Sequence, residues 1–193
     1  HKVVSAPPGL TFVVVSSDAK KAMTERKAPI ASFYANLTTF AHYYEEKWFP
    51  YTMPISDIYG LRAAFNLIAG DKTLYERHAR IGSATRAAVK EAGLKLHLQS
   101  GYSNTVTVFD IPECTDAKSI LDEMRTKYNI MLAGSFDELS GKVIRIGHMG
   151  ENARLEHMVP ALEALSATLT DLGVTLQGNL ADLFLKHYRE FQD

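Results

Sequence analysis

Leu155, Met158, Leu162, Leu165, Leu169 and Leu172 stand three and four residues apart, the longest regular pattern in the chain. That spacing follows the 3.6-residue turn, so it predicts an amphipathic helix, with Gly173 ending it. Two more long helices are predicted upstream. Ile58, Leu61, Phe65 and Ile68 share a face up to Gly70, and Leu74, His78, Ile81, Thr85, Ala88 and Ala92 form a stripe up to Gly93. Leu180, Leu183, Phe184, His187 and Phe191 predict a final amphipathic helix. Thr115 or Asp116 is placed to cap a helix running to about Tyr128, and Asp18 a short one to about Glu25. Thr38 or Thr39 is placed to cap another toward Glu46.

Elsewhere the period changes. Thr11 to Val15 (TFVVV) is continuously apolar and β-branched, which predicts a strand covered on both faces. Leu94, Leu96 and Leu98 alternate with Lys95 and His97, the pattern of a half-buried strand. Thr105 to Ile111, Ile130 to Ala133 and Val143 to Ile146 predict three further strands, and Ser32 to Leu37 a short extended piece. Ser5-Ala6-Pro7-Pro8-Gly9 reads as a turn and Trp48 to Pro54 as an aromatic, proline-punctuated loop. The order is therefore an α/β remainder with two long helices, then β-β-α-β-β-α. The last part predicts a compact α+β unit with helices on one face of a small sheet, the boundary falling near residues 70 to 93.

Composition adds exclusions. The net charge is -1 and no basic run reaches five residues, so no field exists to recruit nucleic acid. No apolar run approaches the roughly 20 residues of a membrane span. Cys114 is the one cysteine, which fits a reducing, cytoplasmic setting, and the last residues, Phe191-Gln192-Asp193, are not a peroxisomal signal. No HExxH or paired-cysteine spacing calls for a metal. The chain opens on His1-Lys2-Val3-Val4 without an initiator Met, which suggests a segment of, or complement to, a longer polypeptide.

Two residues carry candidate chemistry on their own. Lys2 precedes a turn and a predicted buried strand, and desolvation there would favour a neutral, nucleophilic amine. The alternative, and on chemistry alone the commoner case, is a surface lysine at a ragged end. Arg145 lies within the apolar run Val143-Ile144-Arg145-Ile146, where its guanidinium needs an internal carboxylate, an outward-facing position or a bound anion. His148 follows in a loop, and Cys114 stands before a helix start with no histidine motif beside it.

His1-Lys2-Val3-Val4-Ser5-Ala6-Pro7-Pro8-Gly9 resembles the lysine segment of class V pyridoxal phosphate-dependent aminotransferases of the alanine–glyoxylate / serine–pyruvate type. Arg145-Ile146-Gly147-His148-Met149-Gly150 resembles the same family's arginine segment. Tyr51-Thr52-Met53-Pro54 followed by Leu61-Arg62, and Glu76-Arg77-His78-Ala79-Arg80, are similar to two further stretches of it, the second read here as a structural helix face. The resemblance covers nearly the whole chain and leaves about Gln177 to Asp193 as an extension.

It implies the end of a fold-type I large domain (residues 1–75) followed by the small carboxy-terminal α+β domain (residues 76–193). It implies Lys2 as the Schiff-base lysine for pyridoxal 5'-phosphate with His1 beside it, and Arg145 as the clamp for the substrate α-carboxylate. Thr52 would reach the cofactor phosphate of the other subunit in a homodimer; where relatives often carry a tyrosine, this chain has Phe49, and Tyr51 is a substitute. Gly134 to Gly141 would form a mobile edge of the site. The phosphate cradle, the ring-stacking aromatic and the pyridine-pairing Asp would come from an amino-terminal half. The implied reaction moves an amino group from a small amino acid of the alanine or serine type to a 2-oxo acid such as glyoxylate or pyruvate. A noncatalytic dimerisation or regulatory module of the same descent is the alternative. A cysteine lyase of this fold would need a mobile cysteine, and Cys114 has the wrong context.

Overall fold

The protein is described by a computed structural model covering residues 2–191. It divides into two compact units, one spanning Ala6–Phe65 and the other combining the segment up to Ser5 with the chain from Asn66 onward.

The larger unit holds the core. Helix α3 (Leu74–Glu91) follows the end of α2 (Ile55–Gly70). Then come β1 (Val106–Asp110), α4 (Ala117–Tyr128), β2 (Val143–Gly147), α5 (Leu155–Asp171) and α6 (Leu180–Glu190). From His78 and Met158 onward the α3 and α5 stripes are largely buried as their spacing predicts, while Leu155 stays exposed. Ile81, Ala84 and Ala88 of α3 and Leu162, Leu165 and Leu169 of α5 belong to one buried cluster with Phe109 and Phe184. Each such large side chain contributes roughly 1.5–3 kcal/mol on burial. Helix α6 packs on both α3 and α5, and α4 on α5. Arg80 joins α3 to α6, its Nε donating to the Tyr188 carbonyl at 2.7 Å and its guanidinium lying over that ring.

The helix ends follow capping chemistry. Asp116 accepts from the Ser119 N–H at 3.0 Å, and Asn129 closes α4 in the left-handed region at φ 55°. Gly93 and Gly173 stop α3 and α5 at φ 88° and 83°, where a Cβ is disfavoured.

The small sheet is thinner than its sequence suggests. β1 and β2 pair antiparallel, with Val106 opposite Gly147, Val108 opposite Arg145 and Asp110 opposite Val143. The two expected flanking strands shrink to single bridges, Leu96 to Phe109 and Ala133 to Arg145. Leu94–Leu98 still docks through His97 N–H to Val108 O at 3.0 Å and Asp110 N–H to Lys95 O at 2.8 Å.

The smaller unit departs further from expectation. Thr11 to Val15 forms no strand, and Val14 is 96% exposed. A doubly covered strand needs a neighbour on each edge, and none is present among the described residues. Helix α1 (Ser17–Glu25) is capped by Ser16, whose Oγ accepts from Ala19 N–H at 3.1 Å; Asp18 sits in the first turn instead. Ser32 to Leu37 is irregular rather than extended. The helix expected toward Glu46 is a single 3-10 turn, Leu37–Phe40, capped by Asn36 rather than Thr38 or Thr39, and turns follow it. Phe33, Tyr34, Phe40, Phe49 and Tyr51 gather edge-on and stacked around that turn. Among the described residues no helix is long and apolar enough to cross a membrane.

Candidate functional site

Strand alternation decides where Arg145 points. Thr107, Phe109, Ile144 and Ile146 face the core; Val106, Val108, Arg145 and Gly147 occupy the opposite face. On that opposite face lies a cavity of about 750 Å³. Arg145 forms part of its wall, with Met149, Asn152 and the first turns of α5 through His157 and Pro160.

Lys2 lines the same cavity. It belongs to a 3-10 turn, Lys2–Val4, bracketed by two non-glycine residues in the left-handed region, Lys2 at φ 53° and Ser5 at φ 55°. Such backbone is costly and concentrates at functional sites. Ser5 N–H closes the turn on Lys2 O at 3.0 Å, and Ser5 Oγ accepts the Glu151 N–H at 3.0 Å. The sequence suggested a desolvated Lys2. The side chain is instead exposed at the open side of the cavity, because no neighbouring strand covers its turn among the described residues.

Of the three possibilities for Arg145, no internal ion pair forms among the described residues. Its Nε donates to the Gly134 carbonyl at 2.5 Å, and the Phe136 ring lies 6.0 Å from the guanidinium carbon. The Nη pair makes no hydrogen bond to a described residue. A half-buried, geometrically fixed fork with no carboxylate is suited to an incoming anion.

The other expected residues lie elsewhere. Thr52 is exposed in the loop ahead of α2, within the smaller unit. The Tyr51 hydroxyl, considered as a phosphate contact, donates to the Phe33 and Tyr34 carbonyls at 3.3 Å each. His1 lies outside the described residues. Cys114 is exposed. Among the described residues no three His, Cys, Asp or Glu side chains are grouped to hold a metal.

His148 follows β2 in a loop, as expected, but its ring is turned inward. It is fully buried beneath the sheet, its Nε2 in a hydrogen bond with Thr107 Oγ1 at 2.8 Å and its Nδ1 without a hydrogen-bond partner among the described residues. Burial holds its pKa down to about 4, with Arg86 and His78 adding to the same direction.

Sequence reasoning missed the parts that carry the Lys2 turn. His78 is buried, its Nδ1 facing Leu74 O at 2.7 Å and its Nε2 accepting the Gly150 N–H at 3.0 Å. Arg77, its neighbour on α3, donates from Nε to Ala153 O at 2.9 Å and pairs with Asp71. The local signals were His78 on an apolar stripe and the Glu76–Arg80 stretch, read as a helix face; the partner of His78 is 72 residues away.

No protein-family model matches the chain. Individual proteins do. The serine–glyoxylate aminotransferase of Arabidopsis thaliana is 34% identical over 196 residues, covering 97% of this chain and 48% of that protein. The serine–glyoxylate aminotransferase of Methylorubrum extorquens is 35% identical over 181 residues, covering 90% of this chain and 45% of its own length. Among solved structures, ureidoglycine–glyoxylate aminotransferase from Bacillus subtilis superposes with a TM-score of 0.91 at 29% identity, covering 97% of this chain and 50% of that one. The chain spans about half the length of the curated relatives it matches.

Proposed function

Because the chain belongs to the class V aminotransferases, as the carboxy-terminal half of the alanine–glyoxylate and serine–glyoxylate type, we propose that it supplies the lysine and carboxylate clamp of a transaminase. One observation carries this reading: Lys2 and Arg145, remote in sequence, line a single cavity.

That cavity fits the cofactor such enzymes use. It offers a primary amine at its open side and a cationic fork with no carboxylate, in about 750 Å³. When bound, pyridoxal 5'-phosphate supplies an aldehyde that takes up the amino group and a ring that withdraws electrons from the substrate Cα. Lys2 would hold it at the aldehyde carbon. With the substrate amine bound, Lys2 Nζ would be the base that takes the proton from the substrate Cα and carries it for return. Arg145 pairs both carboxylate oxygens through Nη1 and Nη2, since its Nε is tied to Gly134, and this orients the Cα–H bond toward Lys2.

Thr52 contributes its hydroxyl to the cofactor phosphate of the other subunit in a homodimer, and His1 flanks Lys2. The amino donor is a small amino acid of the alanine or serine type, and the acceptor a 2-oxo acid such as glyoxylate or pyruvate. The phosphate cradle, the aromatic ring over the cofactor and the acid on its pyridine nitrogen come from an amino-terminal half. That half also covers Thr11 to Val15, left bare among the described residues. The single cysteine of this chain suits a reducing, cytoplasmic setting. A noncatalytic module would have no need to hold Lys2 and Arg145 on one cavity.

The test is the absorbance of the complete protein in the band of the lysine-bound cofactor, with Lys2→Ala as control. The band and transamination should both vanish in that variant. Cofactor binding and turnover that survive it would refute the reading.

A further inference from the structure

We infer that Arg77 and His78, consecutive on α3, are positioning residues for the Lys2 amine, acting through the turn Gly150–Asn152. This rests on Lys2 being the cofactor lysine. The connection is continuous. His78 Nε2 accepts the Gly150 N–H at 3.0 Å, with its ring aimed by Nδ1 against Leu74 O at 2.7 Å. Arg77 Nε grips the far end of the same turn at Ala153 O, 2.9 Å away, and Asp71 fixes the guanidinium from behind.

The turn in turn seats the lysine. Gly150 stands at φ 60°, and a Cβ there would lie 2.8 Å from both Lys2 O and Val3 O and would also strike Ser5 Oγ. The next residue, Glu151, donates its N–H to Ser5 Oγ at 3.0 Å. The backbone carrying Lys2 is therefore pressed onto a surface whose own position is set by two side chains of a helix.

His78 is 6% exposed and reaches no part of the cavity wall, so it does not touch substrate. A buried imidazole with one nitrogen donating and the other accepting is a rigid spacer between a helix carbonyl and a loop amide. Acting at a distance, it changes where the amine sits and leaves the carboxylate fork of Arg145 untouched.

The experiment uses the complete enzyme, amino-terminal half included, loaded with pyridoxal phosphate. Borohydride fixation of the cofactor on the peptide containing Lys2 is followed by mass spectrometry, alongside kcat and KM for the amino donor. His78→Ala should slow fixation and lower kcat, on the order of 10²-fold for an ångström-scale displacement, with KM little changed. His78→Gln, whose amide oxygen can accept the Gly150 N–H, should recover most of the loss. Should His78→Ala fail to fold, Ser5→Ala reads the same link from the exposed side and should show the same kcat-weighted loss. Fixation and kcat at the parent level in His78→Ala, or equal losses in the Ala and Gln variants, would overturn the inference. Lys2→Ala separates the two claims: if it still fixes cofactor, the functional reading fails, and if it alone loses fixation, only the positioning role does.

Discussion

In the proposed transaminase, Arg145 is the residue on which substrate recognition would turn. Its Nε is occupied by Gly134 O, so a carboxylate meets only the Nη edge, and a lysine cannot reproduce that two-point contact. Arg145→Ala should raise KM for the amino acid on the order of 10- to 100-fold, the loss of one charge-assisted pair, and Arg145→Lys should recover little of it. Steady-state kinetics with a fixed 2-oxo acid measure both. The sequence exposed this residue through its apolar neighbours but left its partner open; the strand register turns it away from the core, toward the cavity.

His148 makes the opposite case. The sequence showed only a loop position, whereas the backbone puts its ring under the sheet with a folded pKa of about 4 against an ordinary 6.5. Between those values the unfolded chain binds the extra proton and the folded one does not, so stability falls as pH drops from about 6.5 toward 4. The full loss is roughly 3 kcal/mol, taking 1.36 kcal/mol per unit. His148→Gln should flatten the stability profile in that window, measured by urea unfolding at several pH values. A slope unchanged by the substitution would mean another group is titrating.

At the scale of elements, local rules worked where an element's own residues decide it. The α3 and α5 stripes, the Asp116 cap and the glycine stops were all readable, because a 3.6-residue period and a cap are properties of neighbours in sequence. Asp116→Ala should cost about 1 kcal/mol in chemical denaturation, since both the Ser119 N–H and its hydroxyl lose their acceptor. Legibility failed where distant partners decide. Leu94–Leu98 and Ile130–Ala133 alternate or run apolar like strands, yet each makes only one bridge because the sheet supplies a single short edge to either. The turn at Gly150 is a third kind. Gly150→Ala should destabilise the larger unit by about 1–3 kcal/mol and free the Lys2 turn, seen as a lower melting temperature and faster amide exchange around residues 2–5.

For the molecule as a whole, the smaller unit is where the sequence misleads most. Thr11 to Val15 has the composition of a fully covered strand but shows 63% of Phe12 and 96% of Val14 to solvent. The physics behind the prediction is sound; the covering surface is what the described residues do not contain. Expressed alone, the chain should self-associate, and Val14→Lys should reduce that association while leaving the α3–α6 core intact, as read by light scattering and circular dichroism. Equal aggregation of both proteins would place the sticky surface elsewhere, on the aromatic loop from Phe33 to Tyr51.

The Lys2 turn is fastened to the Gly150–Asn152 turn, which follows directly on the strand holding Arg145, and all three belong to one compact unit. The two ends of a ruler are thus cut from the same piece of wood. Under the proposed function, an amino acid would be measured between nitrogen and carboxylate by a span set within that one unit. Donors bearing both groups on a single carbon match it. Those with an extra methylene between them, such as β-alanine, should be turned over poorly however the rest of the protein moves.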